Sequence, residues 1–217
     1  MISNPTIFAI MPMGKSKRIE NKPFVKFNDK FLFMNGYEIL KEIFPTFLVC
    51  HPEVEIKVRE ILNENGSNII PDTLNIGPLG ALYLAAKNLT CDYIFFAGCD
   101  MPFLNTGVIK FMCGQIDNNI GGVVLKREKF EPLHAIYGTK FVLETAEKMI
   151  KNNERKISGI IEKNTDKFKV IDINNSELKK FDPEIKFLND IDTVDELKKT
   201  RKNFKFFITN FLSNINF

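Results

Sequence analysis

Between residues 14 and 26 the chain carries five cations, Lys15, Lys17, Arg18, Lys22 and Lys26, against one acid, Glu20. This local charge of +4 exceeds the +3 of all 217 residues. Such a loop suits a polyphosphate. Arginine grips two oxygens at once, lysine supplies a point charge, and free backbone N–H groups share the remaining oxygens. A solvated lysine-rich loop has the same composition, so charge alone leaves both readings open. The segment is neither a Walker loop, for it lacks the second glycine and the Gly-Lys-Ser/Thr ending, nor a dinucleotide fingerprint, for it holds only Gly14.

Two carboxylates stand where an α/β sheet would bring them near that loop. Asp100 closes the apolar run Tyr93-Ile94-Phe95-Phe96-Ala97-Gly98-Cys99, and Asp72 follows Ile69-Ile70-Pro71. A carboxylate at the end of a buried strand avoids desolvation at the sheet edge, where a metal ion can pair with it. Helix caps and turns use the same residue type. His134 sits in an apolar run and reads as a core or substrate-lining histidine; His51 could reach the crevice, but a surface turn is the first reading. The cysteines Cys50, Cys91, Cys99 and Cys113 form no C-x-x-C pair, so free thiols in a reducing compartment are expected and a zinc site is not.

The elements that must position these groups alternate along the chain. Apolar β-rich runs predict strands at 6–11, 46–50, 69–70, 93–97, 122–125, 133–137, 167–173 and 185–188. Helical spacing predicts helices at 34–43, 53–63, 78–89, 107–116 and 142–150, with Pro78 suited to a first turn and Thr193 with Glu196 a capping box that opens a last helix. Alternation of this kind implies βαβ units: an α/β fold of three layers, α/β/α, around a Rossmann-like, mainly parallel sheet. Ligands of such sheets bind at the carboxyl ends of the strands, where strand order reverses. The basic loop, Asp72 and Asp100 would converge there.

Composition agrees with a globular chain: 44% hydrophobic and 26% charged residues exclude disorder and fibrous classes. The small net charge argues against nucleic acid. No stretch approaches the roughly 20 apolar residues of a membrane helix, so a cytoplasmic protein without a membrane partner is expected. One domain over residues 1–200 is expected. Residues 201–217 add an extension in which Phe204, Phe207, Ile208, Phe211, Leu212 and Ile215 follow helical spacing. Docking of that extension on its own domain is the first reading, a contact with another chain the second, and attachment to a membrane surface the third.

Five blocks in order give the chain a family resemblance: residues 14–24 (GKSKRIENKPF), Pro71-Asp72 with residues 77–82 (GPLGAL), residues 99–103 (CDMPF), residues 131–137 (EPLHAIY) and residues 187–193 (FLNDIDT). Together they resemble the molybdenum cofactor guanylyltransferases, within the α/β nucleotidyltransferases, from about residue 6 to residue 197. The resemblance implies transfer of GMP from GTP to the phosphate of molybdopterin, with Mg²⁺ as cofactor and pyrophosphate as leaving group. It implies that Lys22 and Arg18 neutralise the triphosphate, that Asp100 binds Mg²⁺ and that Asp72 contacts the nucleotide. The backbone of Met11, Pro12 and Met13 with Gly14 would meet the base, Gly77 and Pro78 would shape the loop behind it, and residues 132–137 would line the acceptor side. Arg155 and Lys156 would stand near the acceptor or in an exposed turn. Partners implied are GTP and molybdopterin, with a second copy of the chain or a molybdoenzyme under maturation as protein partners. The chain departs from the family at Met11-Pro12-Met13-Gly14, where Leu-Ala-Gly-Gly is usual, and at Cys50-His51, near the place of a usual Asn. A related donor such as CTP, another phosphorylated acceptor, or a non-catalytic binding protein of the same fold remain the alternatives.

Overall fold

The structure is a computed structural model that describes residues 5–15, 21–27, 29–62, 68–117 and 120–191, with Thr193 and Glu196. Arg18 and the extension 201–217 lie outside the described residues. So does the helix after the capping box, although the box itself is formed: Thr193 N–H donates to Glu196 Oε2 at 2.8 Å, and Glu196 N–H to Thr193 Oγ1 at 3.1 Å.

The first strand, β1 (Ile7–Met13), is followed by a 3-10 turn at Lys22–Phe24 and a small ribbon of β2 (Lys26–Phe27) and β3 (Lys30–Phe31). Then come α1 (Leu32–Lys41), β4 (Thr46–Cys50), α2 (Pro52–Leu62), β5 (Ile69–Pro71), α3 (Pro78–Asn88) and β6 (Tyr93–Ala97). The second half holds α4 (Thr106–Cys113), β7 (Gly122–Lys126), β8 (Phe130–Gly138), α5 (Thr139–Lys151), α6 (Ser158–Glu162), β9 (Phe168–Asp172) and α7 (Ser176–Phe181). Seven strands form one sheet in the order β5-β4-β1-β6-β8-β7-β9. Pairing is parallel except for β8, which runs antiparallel to both β6 and β7.

Both faces of the sheet are covered, which is why its inner strands read as unbroken apolar runs. On one face Ala9, Met11, Met13 and Phe95 pack with Phe33 and Tyr37 of α1, Val58 of α2 and Val108 of α4. On the other, Ile10, Ile94 and Phe96 pack with Leu82 of α3, Val142 of α5 and Ile160 of α6.

One strand assignment is corrected. Residues 185–188 do not extend: Ile185 takes a left-handed φ of 55°, and Lys186–Leu188 is a 3-10 turn. The Asp182 carboxylate accepts the Phe187 N–H at 2.8 Å, and Phe187 buries its ring against the sheet from outside its plane. A second difference lies at 107–116, where the helix begins at Thr106 because Asn105 caps it, its Oδ1 accepting from the N–H groups of Gly107 and Val108. A side chain on Gly122 would collide with the carbonyl oxygen of Ile136 on the paired strand, a backbone atom that cannot yield. Gly122→Ala is therefore expected to cost about 2–3 kcal/mol, as overpacking does, read as a lowered urea midpoint at unchanged m-value.

Candidate active site

β1 leads through α1 to β4 on one side, and the chain later returns to β6 on the other, so strand order reverses between β1 and β6. A ligand crevice is expected at the carboxyl end of that pair. A cleft of about 700 Å³ opens there, lined among others by Pro12, Gly14, Lys22, Asp72, Gly77 and Asp100. Lys15, His51, Cys99 and Leu133 complete the parts used below.

Lys22 is delivered by a rigid turn. Asn21 takes a left-handed φ of 52°, Pro23 fixes the first step of the 3-10 turn, and Phe24 is buried behind it. The Lys22 side chain is 7% exposed and that of Asp100 20%, and Lys22 Nζ donates to Asp100 Oδ2 at 2.5 Å. Asp100 itself is held by its backbone, whose carbonyl accepts the Ile191 N–H at 3.0 Å. Its Oδ1 lies against Gly98, where a Cβ would stand 2.6 Å from it.

Asp72 is buried at the opposite wall. Its N–H donates to the Cys50 carbonyl, continuing the β4–β5 pairing into the cleft, and its Oδ1 accepts from the N–H groups of Leu74 and Asn75. The carboxylate thus shapes the 72–75 turn with one oxygen. Gly77 then bends the chain at φ 81°, a left-handed value that favours glycine, to start α3. The positive end of α3 faces the cleft.

The three residues before Gly14 divide. Ala9 donates its N–H to Pro45 and Met13 accepts from the His51 N–H, so the odd residues of β1 turn their backbone to β4 and the even ones to β6. Met11 and Met13 bury their side chains beneath the cleft, while Pro12 lines it. Pairing with β6 ends at Ile10 and Phe96, so the missing N–H of Pro12 interrupts no ladder bond.

Sequence reasoning ranked the crevice second for His51. It is not a surface turn: it is 7% exposed and lines the cleft. Its Nδ1 accepts the Glu53 N–H at 3.1 Å, which caps α2 and folds the ring inward. The Pro52 start signal after it could have suggested a cap. Lys15 at the mouth forms an ion pair with Glu53, and that hydrogen bond holds the Glu53 carboxyl below its ordinary value. His134 lies in the core and Leu133 beside it lines the cleft. Arg155 donates to the carbonyls of Ile150 and Glu154 at the end of α5.

The groups present favour charge neutralisation over covalent chemistry. Burial, then the charge of Asp100, pushes the Cys99 thiol up, so it stays protonated rather than serving as a nucleophile. Burial likewise pushes Cys50 up to about 12. Among the described residues no group of three or more His, Cys, Asp and Glu could hold a metal alone. Mg²⁺ takes one or two carboxylates and completes its shell with phosphate oxygens and water. Asp100 in this cleft fits such an ion arriving with a polyphosphate. Among the described residues no helix is long and apolar enough to cross a membrane.

Comparison with known proteins gives the family and the fold. The chain is 30% identical over 192 residues to a probable molybdenum cofactor guanylyltransferase of Clostridium perfringens, covering 87% of this chain and 92% of that protein. Its fold matches molybdopterin-guanine dinucleotide biosynthesis protein A from Archaeoglobus fulgidus with a TM-score of 0.76 at 23% identity, over 92% of this chain and 99% of that one. It also matches the 4-diphosphocytidyl-2C-methyl-D-erythritol synthase of Anaerococcus prevotii with a TM-score of 0.69 at 13% identity, over 93% and 97% of the two chains. The family model of the MobA-like NTP transferase domain matches residues 10–167, which takes in Pro12, Lys22, Asp72 and Asp100, and the chain belongs to that family.

Proposed function

We propose that the chain transfers GMP from GTP to the terminal phosphate of molybdopterin. The observation that carries this reading is the meeting of Lys22 and Asp100 at the cleft where strand order reverses. The acceptor phosphate is already ionised near neutral pH, so no protein base is needed. Its oxygen attacks the α-phosphorus, a new P–O bond forms, and the bond to the bridging oxygen breaks with its electron pair leaving on pyrophosphate. Catalysis is then positioning and neutralisation of charge. Lys22 neutralises the triphosphate, joined by Arg18. Asp100 holds Mg²⁺, which when bound offsets charge on the phosphate oxygens. Pro12, Gly14, Gly77 and the free oxygen of Asp72 form the nucleoside wall. Leu133 forms part of the acceptor wall.

Pyrophosphate release measured with each nucleoside triphosphate, with and without molybdopterin, tests the reading. Release is expected with GTP only when molybdopterin is present. Release driven by CTP would move the chain to a cytidylyltransferase, and release with neither acceptor nor base preference would remove the reading.

A further inference from the structure

A second concavity, a groove of about 370 Å³, lies between α1 and the last turn of α2. Among the described residues it shares no lining with the cleft. Met34, Tyr37, Ile61 and Leu62 form its apolar part, and Glu38, Lys41 and Glu42 its polar part. Met34, Ile61 and Leu62 pack on the core but are only partly buried, so they offer apolar surface to the groove. Roughly 150 Å³ holds one benzene ring, so the groove has room for two. Its electrostatics are negative. Both helices end here, α1 at Lys41 and α2 at Leu62, and the carbonyl end of a helix carries partial negative charge. Glu38, which holds Lys30 at 2.5 Å through Oε2, and Glu42 add two carboxylates against Lys41.

The chain carries a segment of matching chemistry. From Lys198 to Phe217 it has five cations, Lys198, Lys199, Arg201, Lys202 and Lys205, and no acid, and the Phe204–Ile215 stripe repeats at helical spacing. The segment also starts close enough. Ile191 clusters with Leu32, the first residue of α1, and Lys41 lies about 14 Å further along that helix. The stretch from Ile191 to Phe204 spans about 20 Å as a helix and about 43 Å when extended, so either form reaches the groove. We propose that the groove between α1 and the end of α2 is the seat of the chain's own C-terminal extension. Aromatic side chains of its stripe fill the apolar part, and its cations meet the two helix ends with Glu38 and Glu42.

The chain holds no tryptophan, so Phe207→Trp supplies a sole fluorescent reporter in the full-length protein. Its emission is expected at the blue end of the indole range, with weak quenching by acrylamide. Adding Met34→Lys sets a charge where the stripe would lie, and is expected to shift emission to the red and raise the quenching constant by about 3-fold or more. Ile56→Lys is expected to change neither, since Ile56 is 70% exposed on α2 and outside the groove. If far-UV circular dichroism shows that Met34→Lys does not fold, Leu62→Lys carries the same expectation. Benzoylphenylalanine in place of Phe211 reads the contact with the groove intact. In a mixture of light and isotope-labelled chains it is expected to crosslink to residues 34–42 or 61–62 of its own chain. An exposed reporter without groove substitutions, burial that the groove variants leave untouched, or crosslinks to other segments overturn the proposal. Burial lost on dilution, or crosslinks that join light to heavy chains, overturn it in favour of a second copy. Burial that appears only with anionic phospholipid vesicles overturns it in favour of a membrane surface.

Discussion

Lys22→Ala is expected to lower kcat/KM by on the order of 10²- to 10³-fold, the range seen when one preorganised group facing developing charge is lost. The loss should fall mainly on kcat, because the charge that Lys22 offsets grows as the bond to pyrophosphate breaks. Stability should change far less than activity. Removing one partner of a buried pair is costly when the other stays desolvated, but Asp100 is 20% exposed and water can reach it. Steady-state kinetics together with a urea titration of the same variant check both halves. A variant with wild-type kcat would take Lys22 out of the reacting centre.

His134→Leu is expected to stabilise the fold and to remove part of its acid sensitivity. His134 is fully buried between the rings of Phe95 and Phe187, with ring centroids 5.2 Å away on each side. Among the described residues neither ring nitrogen has a hydrogen-bond partner. Burial pushes the imidazole down to about 3, against about 6.5 in an unfolded chain. Between those values the unfolded state binds a proton that the folded state refuses. Stability from this residue is therefore full above pH 6.5 and falls as pH drops, by about 1.4 kcal/mol per pH unit. Over the whole interval the loss amounts to about 5 kcal/mol, comparable to the stability of many domains. Leucine fills a similar volume without unpaired polar atoms, which is worth about 1–3 kcal/mol at neutral pH. Urea midpoints at pH 7 and pH 5 should show the gap between variant and wild type widening by about 2 kcal/mol. A constant gap would mean that His134 finds a partner when charged.

The parts of the fold that could be read from sequence are those where one physical demand dominates. Residues 93–97 must be buried on both faces, so they are apolar throughout and announce a central strand. Pro78 after Gly77 announces a helix start because both residues restrict the backbone. Strand direction leaves no such mark: nothing in the apolar run of β8 distinguishes its antiparallel course from the parallel one of β6. Residues 185–188 looked like a strand because apolar character signals burial, and a 3-10 turn plugged into the sheet face is buried as well. At the site, the excess of cations around Lys22 and the carboxylates Asp72 and Asp100 after their strands pointed to one crevice, and all three line the cleft. His51 was less legible, since its inward position depends on the backbone N–H of Glu53, two residues on.

The place of Pro12 beyond the end of the β6 pairing has an evolutionary consequence. Most strand positions serve the ladder and the core at once, so a change there is taxed by misfolding. Pro12 owes the ladder nothing on its cleft side. The residue that lines the cleft here can drift while the sheet keeps its register. At such a position the chemistry of the cleft is free to vary because architecture has no stake in it.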